Sequence, residues 1–152
     1  MLEFLREFGR ITKDSIAGPS GAPLAPRTWQ ERLIAATFAR EGERRRHRTA
    51  LWLMGRKNGK TGVAAPIALY GLMCDGAGSE VYSCAADRDQ AKLVFTAARR
   101  TVEMSPKLSA ALKLYRDAIE YPARGSIYRA LSSEAFTKEG LSPTLVIADE
   151  LH

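Results

Sequence analysis

A short glycine-rich loop between two apolar segments constrains the fold of this chain more than any other feature. The sequence Gly-Arg-Lys-Asn-Gly-Lys-Thr occupies residues 55–61, after an apolar run at residues 50–54 and before an apolar segment of helical length. A loop between a buried strand and a helix can bind phosphate through its backbone N–H groups, with a lysine on the terminal phosphates and a hydroxyl on Mg²⁺. Met54 stands where the usual motif has a small residue, and Gly55 comes one place later. The position of the loop nevertheless predicts a phosphate-binding site.

A second motif lies near the end of the chain, where the apolar residues 145–148 are followed by Asp149 and Glu150. A carboxylate at the tip of a strand can hold Mg²⁺ beside the Thr61 hydroxyl, and a neighbouring glutamate can act as general base on the attacking water. Asp149 follows Lys60 by 89 positions, which leaves room for an intervening strand. This order and spacing predict an ATP hydrolase with an additional central strand and a catalytic glutamate, rather than a GTPase or a small kinase.

Apolar strand-like segments alternate with helical segments along the chain, which is typical of α/β domains. We therefore predict an α/β fold with a P-loop NTPase-like, mainly parallel sheet that is flanked by helices and incomplete at the C-terminus. Residues 50–54, 80–84 and 144–149 are expected to be neighbouring strands, with the 57–61 loop and Asp149 at the edge formed by their carboxyl ends. Residues 118–122 and 126–131, joined through Arg124 and Gly125, can form a hairpin or two strands of the sheet, and helices are predicted at residues 29–41, 60–74 and 88–104.

The N-terminal part differs in composition from the rest. We assign residues 1–26 to an amphipathic helix with a Pro- and Gly-rich linker, and residues 27–152 to a partial P-loop ATPase domain. The helix can dock on its own domain or on a partner subunit. No run of about 20 apolar residues is present to cross a membrane. The net charge of +6 weakly favours an acidic partner such as nucleic acid, and Cys74 and Cys84 are expected to be reduced thiols.

Three segments resemble the N-terminal ATPase region of the large terminase subunit of tailed bacteriophages, over residues 27–152. They are GRKNGKT at 55–61, VYSCAADRDQAKLVFTAA at 81–98 and LSSEAFTKEGLSPTLVIADELH at 131–152. The resemblance implies an ATPase that moves double-stranded DNA into a capsid in the host cytoplasm, with a separate nuclease domain that this chain lacks. It implies ATP and Mg²⁺ as ligands, no membrane association, and as partners double-stranded DNA, the portal protein, the small terminase subunit and further copies in a homo-oligomeric ring.

The same resemblance implies roles for individual residues. Lys60 and Thr61 would bind phosphate and Mg²⁺, and Asp149 would also serve the metal. Glu150 would activate water, and Arg56 would contact the γ-phosphate in cis, so that both are expected to be catalytic. Trp29 and Gln30 resemble an adenine-recognition motif. The residues expected to bind the nucleotide are Trp29, Gln30, Gly55, Arg56, Lys57, Asn58, Gly59, Lys60 and Thr61.

Some assignments stay open at the level of sequence. Trp29 can equally be a core aromatic at the start of a helix. A basic segment can approach DNA phosphates or form a solvated turn, and its arginines are Arg44, Arg45, Arg46 and Arg48. Arg124 or Arg129 is a candidate for an arginine that acts on the nucleotide of a neighbouring subunit.

Two other functions fit parts of the sequence. The ending Asp-Glu-Leu-His matches the pattern of DExH-type helicases and translocases, whose chemistry at the phosphates is the same. A truncated nucleotide-binding module that no longer hydrolyses ATP is the other alternative. Because the chain ends two residues after Glu150, where a catalytic group would be poorly held, we expect the isolated chain to show little ATPase activity and no DNA cleavage.

Overall fold

The computed structural model describes residues 1–85, 88–132 and 140–149, so Glu150 lies outside the described residues. The helices are α1 (Leu2–Phe8), α2 (Thr28–Thr37), α3 (Lys60–Cys74), α4 (Arg88–Glu103) and α5 (Pro106–Ala111), with a 3-10 turn at Pro122–Arg124. The strands are β1 (Arg40–Glu41), β2 (Arg44–Arg45), β3 (Glu80–Ala85), β4 (Lys113–Leu114), β5 (Ala118–Tyr121), β6 (Ser126–Ser132) and β7 (Leu145–Ala148). The predicted α/β fold is confirmed.

The main sheet has the strand order β4-β5-β6-β3-β7. The strand β3 runs parallel to both β6 and β7, so Ser83 lies opposite Ala130 on one side and Ile147 on the other. By contrast, β5 is antiparallel to β4 and β6. The connection from β5 to β6 is a single 3-10 turn that ends at Gly125 with a φ of 63°, and a parallel pair needs a much longer crossover. The sheet is therefore mixed, with its parallel part on the side of β3 and β7.

The prediction of a strand at residues 50–54 is wrong, because the structure has no strand there. Leu51 and Leu53 are 71% and 89% exposed, whereas Trp52 between them is half-buried and donates its indole N–H to Thr37 Oγ1 at 2.9 Å. The alternating exposure indicates an extended segment. A strand also needs a neighbour that exchanges backbone hydrogen bonds with it, and no strand of the described residues pairs with this segment. The strands expected at residues 80–84 and 144–149 correspond to β3 and β7, and their pairing confirms that they are neighbours.

The main core lies between the sheet and the helices α3 and α4, where Leu69, Val81 and Tyr128 are fully buried. The helix α3 approaches the sheet closely at Gly71. A Cβ built on Gly71 would lie 2.7 Å from Cδ2 of Leu145 in β7 and 3.3 Å from Cγ2 of Val81 in β3. A larger residue would require the Leu145 side chain or the helix to shift, so glycine allows α3 to lie directly on the first residues of β3 and β7.

The N-terminal helix α1 docks on its own chain. Leu5 is fully buried in a cluster with side chains of α2 and α3. The ring of Phe4 meets Tyr70 edge to face, with 5.8 Å between the ring centroids. Of the two alternatives for this helix, the structure supports docking on its own domain. The division of the chain into residues 1–26 and 27–152 stays a prediction.

The basic segment contains a small hairpin of β1 and β2 that is anchored to the C-terminal end of α3. The guanidinium of Arg45 pairs with Asp75, the residue that follows α3, and lies over the ring of Phe38 at 4.8 Å from its centroid. The Asp75 side chain is only 4% exposed. Arg45 therefore holds the hairpin in place, whereas the other arginines of the segment, Arg44, Arg46 and Arg48, are exposed.

We predict that Arg45→Met lowers the free energy of unfolding by about 1–3 kcal/mol, because it leaves the buried Asp75 carboxylate without its partner. Arg46→Met is the matched control, since it removes an exposed pair with Glu41 and should cost less than about 1 kcal/mol. Urea unfolding followed by circular dichroism measures both. Equal losses in the two variants would contradict the anchoring role of Arg45.

Candidate functional site

The loop before α3 has an unusual backbone conformation. Lys57 has a φ of 63° and Gly59 a φ of 76°, so two of its residues are left-handed. Gly59 precedes the first residue of α3 and has no side chain to cap the helix. The Asn58 side-chain amide donates to the carbonyl oxygen of Gly55 at 3.2 Å and closes the loop. Successive N–H groups in such turns form a concave surface that binds anions.

The N-terminus of α3 adds to this anion site. The Val63 N–H donates to the Gly59 carbonyl oxygen at 3.1 Å, which begins the helical hydrogen bonding. The N–H groups of Lys60, Thr61 and Gly62 come earlier and have no intrahelical acceptor. Together with the helix dipole, they give this end of α3 a partial positive charge of about half a unit. The loop and the start of the helix are thus suited to bind phosphate.

The packing of α3 brings this end of the helix to the edge where β7 ends. Gly71 lies over Leu145, the first residue of β7. Lys60 is 11 residues before Gly71, which corresponds to about 16 Å along the helix. Asp149 is four residues after Leu145, or about 13 Å along the strand. Leu145 and Ile147 of β7 both pack against the cluster that contains Val63 and Ile67 of α3.

Asp149 lies directly beyond β7 and is half-buried. Its N–H donates to the Cys84 carbonyl oxygen at 2.9 Å, so the backbone pairing with β3 extends to this residue. Groups of three or more Asp, Glu, His or Cys side chains that could hold a metal are absent from residues 1–85, 88–132 and 140–149. The expected ligands, Thr61 and Asp149, stay a prediction.

The basic side chains of the loop are available to a ligand. Arg56 and Lys57 are exposed and Lys60 is half-buried. In the part of the chain that the structure describes, none of the three takes part in a salt bridge. The predicted catalytic role of Arg56 remains untested, and the predicted catalytic base, Glu150, lies outside the described residues.

Gln30 contacts the loop, although it lies 28 residues before Asn58 in sequence. It is 8% exposed and its Nε2 donates to the Asn58 carbonyl oxygen at 3.0 Å. The neighbouring Trp29 is 39% exposed and belongs to neither hydrophobic cluster of the described residues. The alternative of a core aromatic therefore has no support, and the indole is free to pack against a ligand.

The two candidates for an arginine in trans lie elsewhere. The Arg124 carbonyl oxygen accepts a hydrogen bond from the Gly78 N–H at 2.7 Å, beside the starts of β3 and β6 and so at the opposite edge of the sheet from the loop. Arg129 lies within β6, is exposed and stands opposite Tyr82. Neither residue contributes to the site of its own chain, and a role in trans stays a prediction.

The interior beneath the site is electrically neutral. Burial raises the pKa of the Cys84 thiol and of the Tyr128 hydroxyl, so both groups are uncharged at neutral pH. The Tyr128 hydroxyl donates to Ser83 Oγ at 3.1 Å. Cys74 and Cys84 are both free, and burial followed by the charge of Asp75 raises the pKa of Cys74 as well. Among the described residues, these buried groups therefore add no charge at neutral pH.

Comparisons with known proteins place the chain in context. The family model described as terminase large subunit, ATPase domain, matches residues 28–152. The chain is 39% identical over 106 residues to the terminase large subunit of Enterobacteria phage HK97, and the match covers 66% of this chain and 21% of that protein. The crystal structure of the HK97 large terminase superposes with a TM-score of 0.77 at 30% identity and covers 97% of this chain. The chain thus spans about a fifth of its curated relative and 30% of the solved chain. In the described residues, no helix is long and apolar enough to span a membrane.

We predict that Gly59→Ala and Gly62→Ala have opposite effects on stability. Gly59 is left-handed, and its Cβ would lie 3.4 Å from Gln30 Nε2, so the substitution should lower the free energy of unfolding by about 1–2 kcal/mol. Gly62 is helical and a Cβ there meets nothing within 4 Å, so alanine should raise the stability by about 0.5–1 kcal/mol. Urea unfolding measures both. A stabilising Gly59→Ala would contradict the left-handed loop.

Proposed function

The chain belongs to the terminase large subunit family and matches its ATPase domain, and from this premise we propose that it is the ATP-hydrolysing part of a motor that moves double-stranded DNA into a viral capsid. The observation that supports ATP as the ligand is the arrangement at one sheet edge. There a left-handed loop leads into the unbonded N–H groups of α3, and the Asp149 carboxylate follows β7, whose first residue lies against the same helix. The loop and the helix N–H groups are suited to bind phosphate, and the carboxylate is suited to bind Mg²⁺.

In the proposed mechanism, the loop N–H groups and the Lys60 ammonium bind the phosphate oxygens. Thr61 and Asp149 would hold Mg²⁺, which would neutralise charge on the phosphates when bound. Arg56 adds a second positive charge at the terminal phosphate. Glu150 accepts a proton from the attacking water as general base. Trp29 packs against the base.

The proposal of double-stranded DNA as partner is supported by exposed arginines in and directly after the β1–β2 hairpin. Arg45 anchors this hairpin to α3, and exposed guanidinium groups beside it are suited to backbone phosphates. Charges held on a rigid element lose little freedom on binding. We further propose that the portal protein, the small terminase subunit and other copies in a ring complete the motor in the host cytoplasm. The exposed arginines that carry the DNA proposal are Arg44, Arg46 and Arg48.

The two alternatives from the sequence fare differently. The family match favours a terminase over a DExH-type helicase, although both share the same phosphate chemistry. A nucleotide-binding module without hydrolysis differs from the proposed function at Glu150 alone, because binding does not need the general base. The experiments below therefore separate binding from hydrolysis.

We predict that Lys60→Ala lowers the affinity for ATP in the presence of Mg²⁺ by at least about tenfold, since it removes a charge-assisted contact to phosphate. The control is Lys13→Ala, because Lys13 is exposed and lies outside the loop. Titration calorimetry on the 152-residue chain measures both variants. Equal affinities in wild type and Lys60→Ala would exclude the proposed phosphate site.

We predict that, in a full-length protein that contains this chain, Glu150→Gln leaves the affinity for ATP nearly unchanged and slows hydrolysis by roughly 100-fold, because the amide keeps the shape and loses the base. A single-turnover assay with protein in excess detects slow hydrolysis. Asp117→Asn, on an exposed turn, controls for the loss of a carboxylate. Hydrolysis that is equally fast in wild type and Glu150→Gln would assign the water to another residue. A wild type that binds ATP and never cleaves it would favour the non-hydrolysing module.

We predict that the triple variant Arg44→Ala, Arg46→Ala, Arg48→Ala weakens binding of a short DNA duplex and lowers the dependence on salt. Each lost phosphate contact should reduce the slope of log K against log salt by about 0.9. The control triple variant is Lys13→Ala, Lys113→Ala, Arg116→Ala, which removes the same number of exposed charges elsewhere. Fluorescence anisotropy over a salt series measures the slopes. Equal slopes in the two triple variants would show that only the overall charge matters.

A further inference from the structure

The aromatic ring that carries Arg45 is itself held by a second ring. The Arg45 guanidinium lies over Phe38, the residue that follows α2, at 4.8 Å from the ring centroid. The ring of Phe38 meets Tyr70 of α3 edge to face, with 5.5 Å between the centroids and 86° between the planes. Aromatic pairs prefer this arrangement to a face-to-face stack, so the contact favours one orientation of the Phe38 ring.

Tyr70 also contacts the N-terminal helix. Its ring meets Phe4 of α1 at 5.8 Å between the centroids, with 77° between the planes. Phe4, Tyr70 and Phe38 thus form an aromatic row that joins α1, α3 and the end of α2. The family model begins at residue 28, so Phe4 contributes to this row from a segment that the family match does not include.

The β1–β2 hairpin needs such support because it is small. Its strands have two residues each and form two residue pairs, and an isolated two-stranded hairpin is marginally stable at best in water. The ion pair of Arg46 with Glu41 stays within the hairpin. Arg45, by contrast, reaches outside it to Asp75 and to Phe38. The order of the hairpin therefore depends on the two partners of Arg45.

We propose that Tyr70 is a positioning residue that keeps the β1–β2 hairpin ordered before DNA binds, and that α1 shares this role through Phe4. The rings of Phe4 and Tyr70 hold Phe38, and Phe38 together with Asp75 holds the Arg45 guanidinium. The proposal rests on the proposed function, because it takes the arginines of this hairpin to bind DNA phosphates.

Loss of order and loss of charge have different effects on DNA binding. A loose hairpin that keeps all its arginines can still reach the same phosphates, but it must be ordered at the moment of binding, which lowers the affinity. The slope of log K against log salt follows the number of phosphates that are neutralised, and that number stays the same. A positioning role therefore predicts a lower affinity at every salt concentration with an unchanged slope.

The first test measures the order of the hairpin without DNA, by nuclear magnetic relaxation of the 152-residue chain. In Tyr70→Leu and in Phe4→Leu, the backbone order parameters of residues 40–46 should fall, because the aromatic row loses a ring. Tyr70→Phe keeps the ring and should retain the wild-type values. Ile119→Val, at a fully buried position of β5, controls for a loss of stability elsewhere and should also retain them.

Several outcomes of this first test would contradict the proposal. Unchanged order parameters in Tyr70→Leu, or an equal fall in Ile119→Val, would overturn the positioning role. Wild-type values already below about 0.6 would do the same, since they indicate a hairpin that is flexible with the row intact. Unchanged values in Phe4→Leu would remove α1 from the proposal.

The second test measures binding of a short DNA duplex by fluorescence anisotropy over a salt series, at a temperature at which every variant is folded. Tyr70→Leu should lower the affinity by about threefold to tenfold at each salt concentration, because several side chains must be ordered on binding. Its slope should equal that of wild type. Tyr70→Phe and Ile119→Val should bind as wild type does. An unchanged affinity in Tyr70→Leu would overturn the proposal, and so would a slope reduced to that of the triple variant of Arg44, Arg46 and Arg48.

The two tests also separate this proposal from the proposed function. A triple arginine variant that binds DNA as its control does would reject the hairpin as the DNA site, and the role of Tyr70 in DNA binding would fail with it. A triple variant that loses affinity, beside a Tyr70→Leu variant that keeps it, would retain the DNA site and reject the positioning role.

Discussion

The close contact of α3 with the first residues of β3 and β7 determines where the phosphate loop lies. Gly71 permits that contact, because a Cβ at this position would overlap the Leu145 side chain. Once the helix is held there, its regular rise places residue 60 about 16 Å further along, near the end of β7. The geometry of the candidate site thus depends on a residue three helical turns away from it, whose only contribution is the absence of a side chain.

The sequence predicts the elements that local signals specify. The strands β3, β6 and β7 and the long helices α3 and α4 agree with the predicted segments within a few residues, because apolarity and helical periodicity are properties of each segment. The strand expected at residues 50–54 fails for a different reason. Its apolar residues indicate an extended backbone, but a strand also needs a second segment for backbone hydrogen bonds, and that segment lies elsewhere in the chain. The sheet is mixed because the short turn at Gly125 makes β5 and β6 antiparallel. This direction follows once the two strands are recognised as a hairpin.

The residues of the candidate site also differ in how well the sequence predicts them. The phosphate loop is contiguous in sequence, so its residues are recognised together, and the left-handed Gly59 agrees with the glycine of the motif. The resemblance to the terminase family links Gln30 to the base, and the structure shows its amide bonded to Asn58 and Arg27 as well. No pattern within either segment could reveal that bond, since it joins two segments that meet only after α2 and α3 have packed. Asp149 follows from its position after an apolar strand, and Glu150 lies outside the described residues.

The anchoring of the β1–β2 hairpin to Asp75 has a mechanical consequence. The ion pair with Arg45 is at the C-terminal end of α3, and the phosphate loop is at the N-terminal end of the same helix. An α-helix of 15 residues is about 22 Å long, and its backbone hydrogen bonds run along its axis except at Pro66, which has no N–H to donate. The helix α3 therefore connects the arginine-bearing hairpin at one end with the peptide groups of the phosphate loop at the other. A displacement of the hairpin along the helix axis would be expected to displace the loop as well.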